Sequence, residues 1–395
     1  IDGTSKLDVT GLGFTGGTAG PHNTAGVSGN INGAGGGGGG NINANGGGGG
    51  GYGGVGGAGG GTGGTGGIEN GQASLNQPVS LGSGGGGGGT DGSYVSGYGA
   101  GGAGGGAIKL VISGTLTLNS GGYITANGNN GVDHGSVAGG GGGGSGGSIW
   151  IQAGTITGSG TVRANGGNGG SATANGGGGA GGRISLTYTN DSSSSFTKTT
   201  TGGSGNQYGS AGSIYTKQDS ATYGDITFNN AGNNSPATRT ITSSYGVLSF
   251  NNFSFIEGTA GINNNGATLN IYGTLSASAA NTIDKSLTNS GTINYYPSGT
   301  LTISGTINNT GTINANSITT IAISNTITNT GSFSMNSLQN FNVTGTTTTM
   351  DTLYSSGTCT GTTRYTLPST YSMNLSTSAT VNHTANPAGT TPTYC

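Results

Sequence analysis

Residues that could carry out chemistry are few in this sequence, and they lie far apart. Nine Asp and two Glu are spread over 395 positions, and the closest acidic pairs along the chain are Asp2 with Asp8 and Asp219 with Asp225. Glycosidases and calcium sites need carboxylates gathered at defined separations, and neither pair recurs at a regular interval. The sequence therefore predicts no catalytic, metal-binding or cofactor-binding residues and no enzyme. A polysaccharide-active β-helix enzyme is the alternative in which folding gathers the carboxylates.

Histidine and cysteine add little to this inventory. His22, His134 and His383 lack the spacing of a zinc motif, so we interpret them as exposed loop residues. Cys359 and Cys395 are the only cysteines, and they predict one disulfide formed in an oxidising compartment. Two unpaired thiols are the alternative. The glycine runs lack the Gly-Lys-Ser/Thr ending of a phosphate-binding loop.

Charge and glycine content exclude several classes of protein. The chain has 96 glycines, and charged residues make up 5% of it, against roughly 25% in an average globular protein. Its nine Lys and Arg are scattered and its formal net charge is −2, so no basic surface for nucleic acid is expected. No run approaches the roughly 20 apolar residues of a membrane span. We expect an extracellular or cell-surface protein, with a signal and earlier repeats preceding Ile1.

The stretch from Leu287 to Val343 repeats with a step of 20 residues. Four apolar columns and one asparagine column keep this step. The columns are Leu287, Ile307 and Ile327; Ile293, Ile313 and Phe333; Leu301, Ile321 and Phe341; Ile303, Ile323 and Val343; and Asn289, Asn309 and Asn329. Short β-type runs at this interval predict a parallel β-solenoid, because each coil buries its apolar face only against a neighbour.

The asparagine column predicts a ladder of stacked amides joined by hydrogen bonds. Each of these asparagines stands two residues before a glycine, which is typical of a corner with unusual backbone angles. Threonine and serine columns on the same repeat, such as Thr292, Thr312 and Ser332, would lie on a solvated face. They favour either a plain β-forming surface or, as an alternative, a surface that contacts glycan or ice.

Glycine dominates the first half of the chain. Six-residue glycine runs occupy 35–40, 46–51, 84–89 and 139–144, and a larger side chain recurs at every third position nearby. The residues on this step are Tyr52, Val55 and Ala58 and, after a one-residue slip at Gly61, Thr62, Thr65 and Ile68. Three residues is the polyproline II period. We therefore predict polyglycine II segments packed side by side, with their backbone groups bonded to neighbouring segments; flexible linkers are the alternative.

Strand-like segments interrupt the glycine runs. The pattern of 107–128 returns about 40 residues later at 148–166, and a further start follows at 182. The predicted fold class is all-β, an elongated parallel β-solenoid with polyglycine II insertions in its N-terminal half.

The sequence predicts three regions of different character. Glycine-rich coils with polyglycine II insertions occupy 1–188, and a regular solenoid with coils of about 20–22 residues occupies 189–344. Residues 345–395 are predicted to form a C-terminal cap or small module with the disulfide, since an open last coil would expose unpaired strand edges.

These patterns resemble those of known extracellular proteins. Units such as Gly146-Gly147-Ser148-Ile149-Trp150-Ile151 look like the glycine-rich segments of large bacterial surface and secreted proteins. Runs such as Ser304-Gly305-Thr306-Ile307-Asn308 are similar to the β-solenoid stalks of adhesins and autotransporter-type passenger domains. The Gly-Gly-X runs resemble the polyglycine II bundles of springtail antifreeze proteins and phage tail-tip adhesins. The resemblance covers most of residues 1–343 and transfers no functional residues.

Together these observations favour a structural role. We expect a bacterial surface fibre, stalk or filament subunit that self-associates, with end-to-end contacts covering its strand edges. The alternative is an adhesin or ice-binding or glycan-binding module, whose partner would be a surface glycan, a receptor or ice.

Overall fold

A computed structural model gives the structure of the chain. It describes residues 1–21, 25–29, 36–41, 45–71, 75–90, 99–134, 139–231, 233, 239–242, 247–256, 262–265, 268–271, 275–276, 282–283, 287–296, 298–315, 317–323, 327–329, 332–334, 340–343, 347–350, 353–354, 372–375 and 380–382. Within these ranges the protein is all-β, with no helix and with almost entirely parallel sheets. Consequently, none of the described residues belongs to a helix that could cross a membrane.

The chain divides into two compact units. The first contains Ile1–Ala237 and Ile256–Thr259, and the second contains Thr238–Phe255 and Ala260–Cys395. The division therefore lies well beyond the predicted boundary at 188/189, which falls inside the strand Arg183–Asp191. The first unit extends further because residues 200–212 form one more glycine-rich segment that bonds back to the earlier ones.

The described part of the first unit contains nine strands in two sheets. They are β1 (Lys6–Asp8), β2 (Ala107–Thr117), β3 (Tyr123–Thr125), β4 (Ser148–Thr157), β5 (Thr161–Arg163), β6 (Arg183–Asp191), β7 (Thr197–Thr199), β8 (Ser213–Gln218) and β9 (Gly224–Asn229). One sheet has the order β1-β3-β5-β7, and all its pairs are parallel. The other pairs β2, β4, β6 and β8 in parallel and adds β9 antiparallel to β8.

The glycine-rich stretches that precede β2, β4, β6 and β8 each lie between a strand of the smaller sheet and a strand of the larger one. The first step between paired residues, Ala107 to Ser148, is close to the predicted 40 residues, and the next two, to Arg183 and then to Ser213, are progressively shorter. Residues 107–117 form one strand with an irregularity between Ile112 and Thr115.

An apolar core lies between the two sheets of the first unit. It is built by the inward rows of both sheets, and residues such as Ile124, Ile149, Ile151 and Ile184 are fully buried in it. Alternation of inward and outward side chains along each strand explains the pattern. Burial of one such side chain stabilises the folded state by roughly 1.5–3 kcal/mol.

The described strands of the second unit are two to six residues long, except for one of ten residues. They are β10 (Arg239–Thr242), β11 (Val247–Ile256), β12 (Ile262–Asn265), β13 (Thr268–Ile271), β14 (Leu275–Ser276), β15 (Thr282–Ile283), β16 (Leu287–Asn289), β17 (Thr292–Tyr295), β18 (Gly299–Ile303), β19 (Ile307–Asn309), β20 (Thr312–Asn314), β21 (Ile318–Ile323), β22 (Ile327–Asn329), β23 (Ser332–Ser334), β24 (Asn340–Val343), β25 (Thr347–Met350), β26 (Leu353–Tyr354), β27 (Ser372–Leu375) and β28 (Thr380–Asn382).

These strands form three parallel ladders. The first runs β10-β12-β16-β19-β22-β25-β28. The second begins at the start of β11 and continues through β13, β17, β20, β23 and β26. The third begins at the end of β11 and continues through β14, β15, β18, β21, β24 and β27. The predicted columns lie within these ladders, with Leu287 beside Ile307, Ile293 beside Ile313, and Leu301 beside Ile321.

The region predicted as a cap differs from that expectation in its described part. Strands β25 to β28 continue the three ladders in parallel, with Phe341 beside Met373 and Thr348 beside Val381. The loss of the 20-residue step after Val343 therefore reflects a longer connection between paired strands. Cys359 and Cys395, the predicted disulfide, lie outside the described residues.

Candidate functional site

The first unit contains a packed set of glycine-rich segments, here called the glycine array. Residues 139–147 lie at its centre and are buried throughout. Their backbone N–H groups donate to three neighbouring segments in rotation, over N···O distances of 2.7–3.2 Å. The donors are Gly139, Gly142 and Ser145 to segment 83–89, Gly140, Gly143 and Gly146 to segment 174–180, and Gly141, Gly144 and Gly147 to segment 126–132.

The carbonyl groups of this central segment accept from three other segments. The donors are Gly47 and Gly50, Gly102 and Gly105, and Gly167 and Gly170. The central segment thus has six bonded neighbours. A chain with three residues per turn turns its backbone groups outward in repeating directions, which accounts for a hydrogen-bond partner that recurs at every third residue. The array satisfies buried backbone groups without forming a conventional sheet.

Close approach between segments explains why glycine fills these positions. A Cβ atom added to Gly142 would overlap the carbonyl oxygen of Gly48, and one added to Gly139 would overlap that of Asn45. These glycines have ordinary φ values, so the requirement is for space rather than for backbone freedom. Ser145 is the polar exception, since its Oγ accepts the backbone N–H of Ser83 at 2.8 Å.

At the margin of the array, side chains replace backbone groups as hydrogen-bond partners. Side-chain oxygens at every third position accept the backbone N–H of the equivalent position in the next repeat. The bonds run from Asn165 N to Asn127 Oδ1 (2.8 Å), Asn168 N to Asn130 Oδ1 (2.8 Å), Ser171 N to Asp133 Oδ1 (2.7 Å), Thr201 N to Asn165 Oδ1 (3.0 Å) and Ser204 N to Asn168 Oδ1 (2.9 Å).

These marginal ladders were not predicted from the sequence, although it contains a signal for them. Asn127, Asn130 and Asp133 follow a three-residue step, and Asn165 and Asn168 repeat it. Half-exposed or exposed positions beside a glycine segment are where a short amide or carboxylate side chain can reach a neighbour's backbone.

A buried arginine joins the array to the larger sheet of the first unit. Arg183 begins β6, and its side chain is 1% exposed. Its Nη2 lies 3.3 Å from Glu69 Oε1 and 3.4 Å from the carbonyl oxygen of Tyr52, and its guanidinium stacks 4.8 Å from the centre of the Tyr52 ring. A buried charge needs such partners, because its desolvation is otherwise costly.

Residues 69–71 and 75–81, here called the strap, lie beside this arginine and against the larger sheet. Tyr52 donates its hydroxyl hydrogen to Ser148 Oγ at 2.6 Å, and Ser148 donates in turn to the carbonyl oxygen of Ser80 at 2.6 Å. Ser185 Oγ donates to the carbonyl oxygen of Asn76 at 2.7 Å. The strap is therefore held by side chains from β4 and β6. No local sequence pattern indicates these contacts.

The residues predicted to form a period-three face are placed in two groups. Tyr52 is buried under the strap, and Val55 and Ala58 are half-buried. Thr62, Thr65 and Ile68 are exposed, and Ile68 is 62% exposed. The positive φ of Gly61 lies at the slip between the two groups. The exposed group is thus a surface row, whereas the first group packs inside the unit.

The predicted asparagine column lies in one ladder of the second unit. Asn289, Asn309 and Asn329 are register partners in β16, β19 and β22. Asn289 and Asn309 are fully buried, and Asn289 Nδ2 donates to Asn309 Oδ1 at 2.7 Å. The predicted unusual backbone angles are absent there, since neither asparagine nor Gly291 and Gly311 has a positive φ. Glycine is needed instead for close stacking, because a Cβ on Gly311 would overlap the carbonyl oxygen of Gly291.

The described titratable groups form no obvious reactive cluster. No group of three or more His, Cys, Asp or Glu side chains placed to hold a metal ion occurs within the described ranges. A hydrogen bond from the Thr10 hydroxyl is the main cause that lowers the pKa of Asp8 to about 2, and the Ser5 hydroxyl chiefly lowers the pKa of Asp2. Both effects keep the carboxylates ionised, which is the opposite of what a general acid requires.

No protein-family model, curated protein or solved structure matches this chain. Its function must therefore be argued from its own residues.

Proposed function

We propose that this chain is an extracellular structural protein, the subunit of a bacterial surface fibre, stalk or filament, and that it has no catalytic activity. The observation that carries the proposal is that equivalent strands of successive repeats pair with one another. Each described strand beyond the first of its ladder bonds the equivalent strand one repeat earlier, with few exceptions. Such an arrangement stabilises an extended, repetitive structure rather than a cleft.

In this proposal the second unit is a parallel β-solenoid. The support is the parallel pairing of strands in three ladders, in which Leu287, Ile307 and Ile327 are successive partners. Each coil then contributes one strand to each ladder, and stacking buries the apolar columns. Stacked amides such as Asn289 and Asn309 add hydrogen bonds in the same direction.

For the first unit we propose β-solenoid coils that carry polyglycine II insertions. The support is the central segment 139–147, whose bonded neighbour recurs every third residue and whose six neighbours include segments on all sides. Glycine is entropically costly to order, by roughly 0.5–1 kcal/mol relative to alanine in regular structure. A hydrogen-bonded bundle offsets this cost and forms a stiff, uncharged body suited to an extracellular fibre.

A binding role is the second candidate, and the exposed row of Thr62, Thr65 and Ile68 favours it. In polyproline II geometry, residues on a three-residue step recur at about 9 Å along the segment. A regular row of hydroxyl and methyl groups could contact a surface glycan, a receptor or ice. This role would make the protein an adhesin or an ice-binding module.

Electron microscopy of the purified chain tests the structural proposal. Long uniform fibres with an axial repeat near the roughly 4.7–4.8 Å strand spacing are expected, in amounts that rise with concentration and survive heat and detergent. Short single rods would remove the fibre and leave the binding role, which thermal hysteresis and glycan-array measurements on Thr62→Val and Thr65→Val variants would test. Globular particles would overturn the proposed solenoid.

A further inference from the structure

We infer that one margin of the glycine array binds an acidic polysaccharide, with the amide nitrogens of four asparagines and the guanidinium of Arg163 as hydrogen-bond donors. These asparagines, here called the amide face, are Asn127, Asn130, Asn165 and Asn168. The inference goes beyond the proposed fibre, and it concerns a different surface from the row of Thr62, Thr65 and Ile68.

The amide face is held in place by the backbone of the array. Each of its four side-chain oxygens accepts the backbone N–H of the equivalent residue in the next repeat, over 2.8–3.0 Å. This bond fixes which end of each amide meets the protein, since only the oxygen can accept. A ligand that binds here orders no loose side chain, and the entropic cost of binding is therefore lower.

The nitrogen end of each amide is left for a ligand. No partner for Nδ2 of these four asparagines lies within the described ranges. Asn130 and Asn168 are exposed, and Asn127 and Asn165 are half-buried. An amide nitrogen carries two N–H donors and no acceptor. Because the oxygens are bonded to the array, the amide face presents donors to solvent, and it favours a ligand rich in acceptor oxygens.

Arg163 adds a cation beside the amide face. It lies on the outward side of β5, since its neighbours Val162 and Ala164 belong to the core. Its Nε donates to Thr125 Oγ1 at 3.2 Å, and its guanidinium lies 4.5 Å from the centre of the Tyr123 ring. The two Nη groups have no partner within the described ranges. A guanidinium held in this way presents a planar edge of N–H groups, which matches the two oxygens of a carboxylate.

The charge of Arg163 is not neutralised by a neighbouring acid. No described carboxylate forms an ion pair with it, and Asp8 lies two strands away in the same row, with Thr125 between them. Asp8 is itself paired with a lysine. Asp133 stands at the far end of the face, one three-residue step beyond Asn130. An anionic group is therefore attracted to the end of the face that adjoins the smaller sheet.

A linear sugar polymer that carries carboxylates fits these positions. Residues on a three-residue step recur at about 9 Å along a segment, so the amide nitrogens form two rows of regularly placed donors that lead away from Arg163. Hydroxyl and ring oxygens of the sugars would accept from these donors, and a carboxylate would pair with the guanidinium. Nucleic acid is not favoured, because its binding requires many cations.

Calorimetric titration of the 395-residue chain tests the inference with two forms of one polymer. Polygalacturonate carries the carboxylates, and its methyl ester has the same sugar chain without the charge. We expect polygalacturonate to bind at least tenfold more tightly than the ester. Alginate and hyaluronate carry carboxylates on other sugars and extend the search. The inference would be overturned by equal binding of acid and ester, or by no binding of any of the three carboxylated polymers.

Substitution of Asn168 separates binding from the fold. Asn168→Asp keeps the oxygen that accepts Ser204 N and replaces the outward donor with a charged acceptor, so the affinity for polygalacturonate should fall at least tenfold. Gln152→Glu adds the same charge at an exposed position of the larger sheet and is the matched control. Arg163→Gln should also weaken binding at least tenfold, whereas Lys217→Gln on β8 removes the same charge elsewhere and should leave the affinity unchanged.

The outcomes separate this site from the proposed fibre. Unchanged affinity in either Asn168→Asp or Arg163→Gln would overturn the assignment. Equal losses in the two controls would also overturn it, because they would indicate attraction to net charge. Circular dichroism of each variant must match the wild type, and Asn130→Asp replaces Asn168→Asp if it does not. Binding by a chain that forms no fibres would leave this site standing, and fibres that bind no acidic polymer would leave the fibre standing.

Discussion

Gly142 and Gly114 are both glycines, but they differ in the space that surrounds them. Gly142 lies in the centre of the glycine array, where a side chain has no room beside Gly48, whereas a Cβ on Gly114 in β2 would meet no atom within 4 Å. The role of a glycine in this protein is therefore set by the distance to its neighbours. Composition alone treats both as equal.

We expect Gly142→Ala to lower the free energy of unfolding of the first unit by about 1–3 kcal/mol, the usual cost of overpacking. Gly114→Ala is the control and should be neutral or stabilising by up to about 1 kcal/mol, since it restricts the unfolded chain. Denaturant titration measures both. Equal effects of the two substitutions would contradict close packing as the reason for glycine in the array.

The buried amide ladder supplies a second contrast at the residue scale. Asn309→Ala removes the acceptor of a 2.7 Å bond from Asn289 in a fully buried position, and we expect a loss of about 1–3 kcal/mol because a buried donor loses a partner. Asn314→Ala removes a bond of the same length to Asn294 in a half-buried position, where water can replace it. Thermal melts of the two variants should differ, and a larger loss for Asn314→Ala would count against the ladder.

At the scale of elements, the strap depends on a charge pair rather than on apolar packing alone. Glu69→Ala would remove a carboxylate from a guanidinium that is 1% exposed, and we expect a cost of about 3 kcal/mol. Lys6→Met breaks the exposed Lys6–Asp8 pair and should change stability by less than about 1 kcal/mol. The Glu69→Ala and Arg183→Met double variant should recover part of the loss. Hydrogen exchange at 75–81 would report opening of the strap in Glu69→Ala. Unchanged exchange would argue against the Glu69–Arg183 ion pair as the contact that holds the strap.

Lys198 ends the inward row of the smaller sheet that begins with Leu7, Ile124 and Val162. An inward charge of this kind protects the edge of a sheet from further pairing. Burial lowers the pKa of Lys198 from its usual 10.5, so the protonated form is less favourable in the folded protein. We expect Lys198→Met to be more stable than wild type at neutral pH. This difference in the free energy of unfolding should narrow as the pH rises from the lowered pKa towards 10.5. The reason is that the folded wild type loses the Lys198 proton at a lower pH than the unfolded chain does.

The same Lys198→Met variant should also associate more readily, because the inward row of β7 would become apolar. Calorimetry over a pH series and sedimentation at neutral pH measure the two effects. A lower melting temperature at neutral pH, with a gap that widens on the alkaline side, would contradict the role given to this lysine.

At the scale of the whole molecule, the two compact units have different sources of stability. The first relies on backbone hydrogen bonds within the glycine array in addition to its apolar core. The second relies on stacked columns such as Ile293 and Ile313, which are buried. Backbone burial and apolar burial have opposite effects on the heat capacity of unfolding.

We therefore expect calorimetry to resolve two transitions. The transition that Gly142→Ala shifts should have a heat-capacity change per residue below the usual 12–15 cal/mol/K, because its unit buries much polar backbone. The transition that Asn309→Ala shifts should lie nearer that range. A single transition moved equally by both substitutions would show that the units unfold together.

Much of the second unit could be predicted from the sequence. A strict step such as Leu287, Ile307 and Ile327 leaves one register that buries every apolar residue, since a slip by one residue turns each side chain to the other face. The strands predicted near Ile149 and Ile184 were also found, because alternating apolar residues report directly on burial. The three-residue spacing of Tyr52, Val55 and Ala58 did not indicate that Tyr52 is buried and that the other two are half-buried.

The sequence by itself determined the all-β class, the 20-residue step and the three-residue step, because these are local periodicities that repeat along the chain. Tertiary structure alone decided which segments surround 139–147, where the first unit ends, and that Arg183 meets Glu69 across more than a hundred residues. The physical reason is that glycine carries no side chain to specify a neighbour. Its partners are selected by backbone hydrogen bonds and by close approach, both of which exist only once the chain has folded.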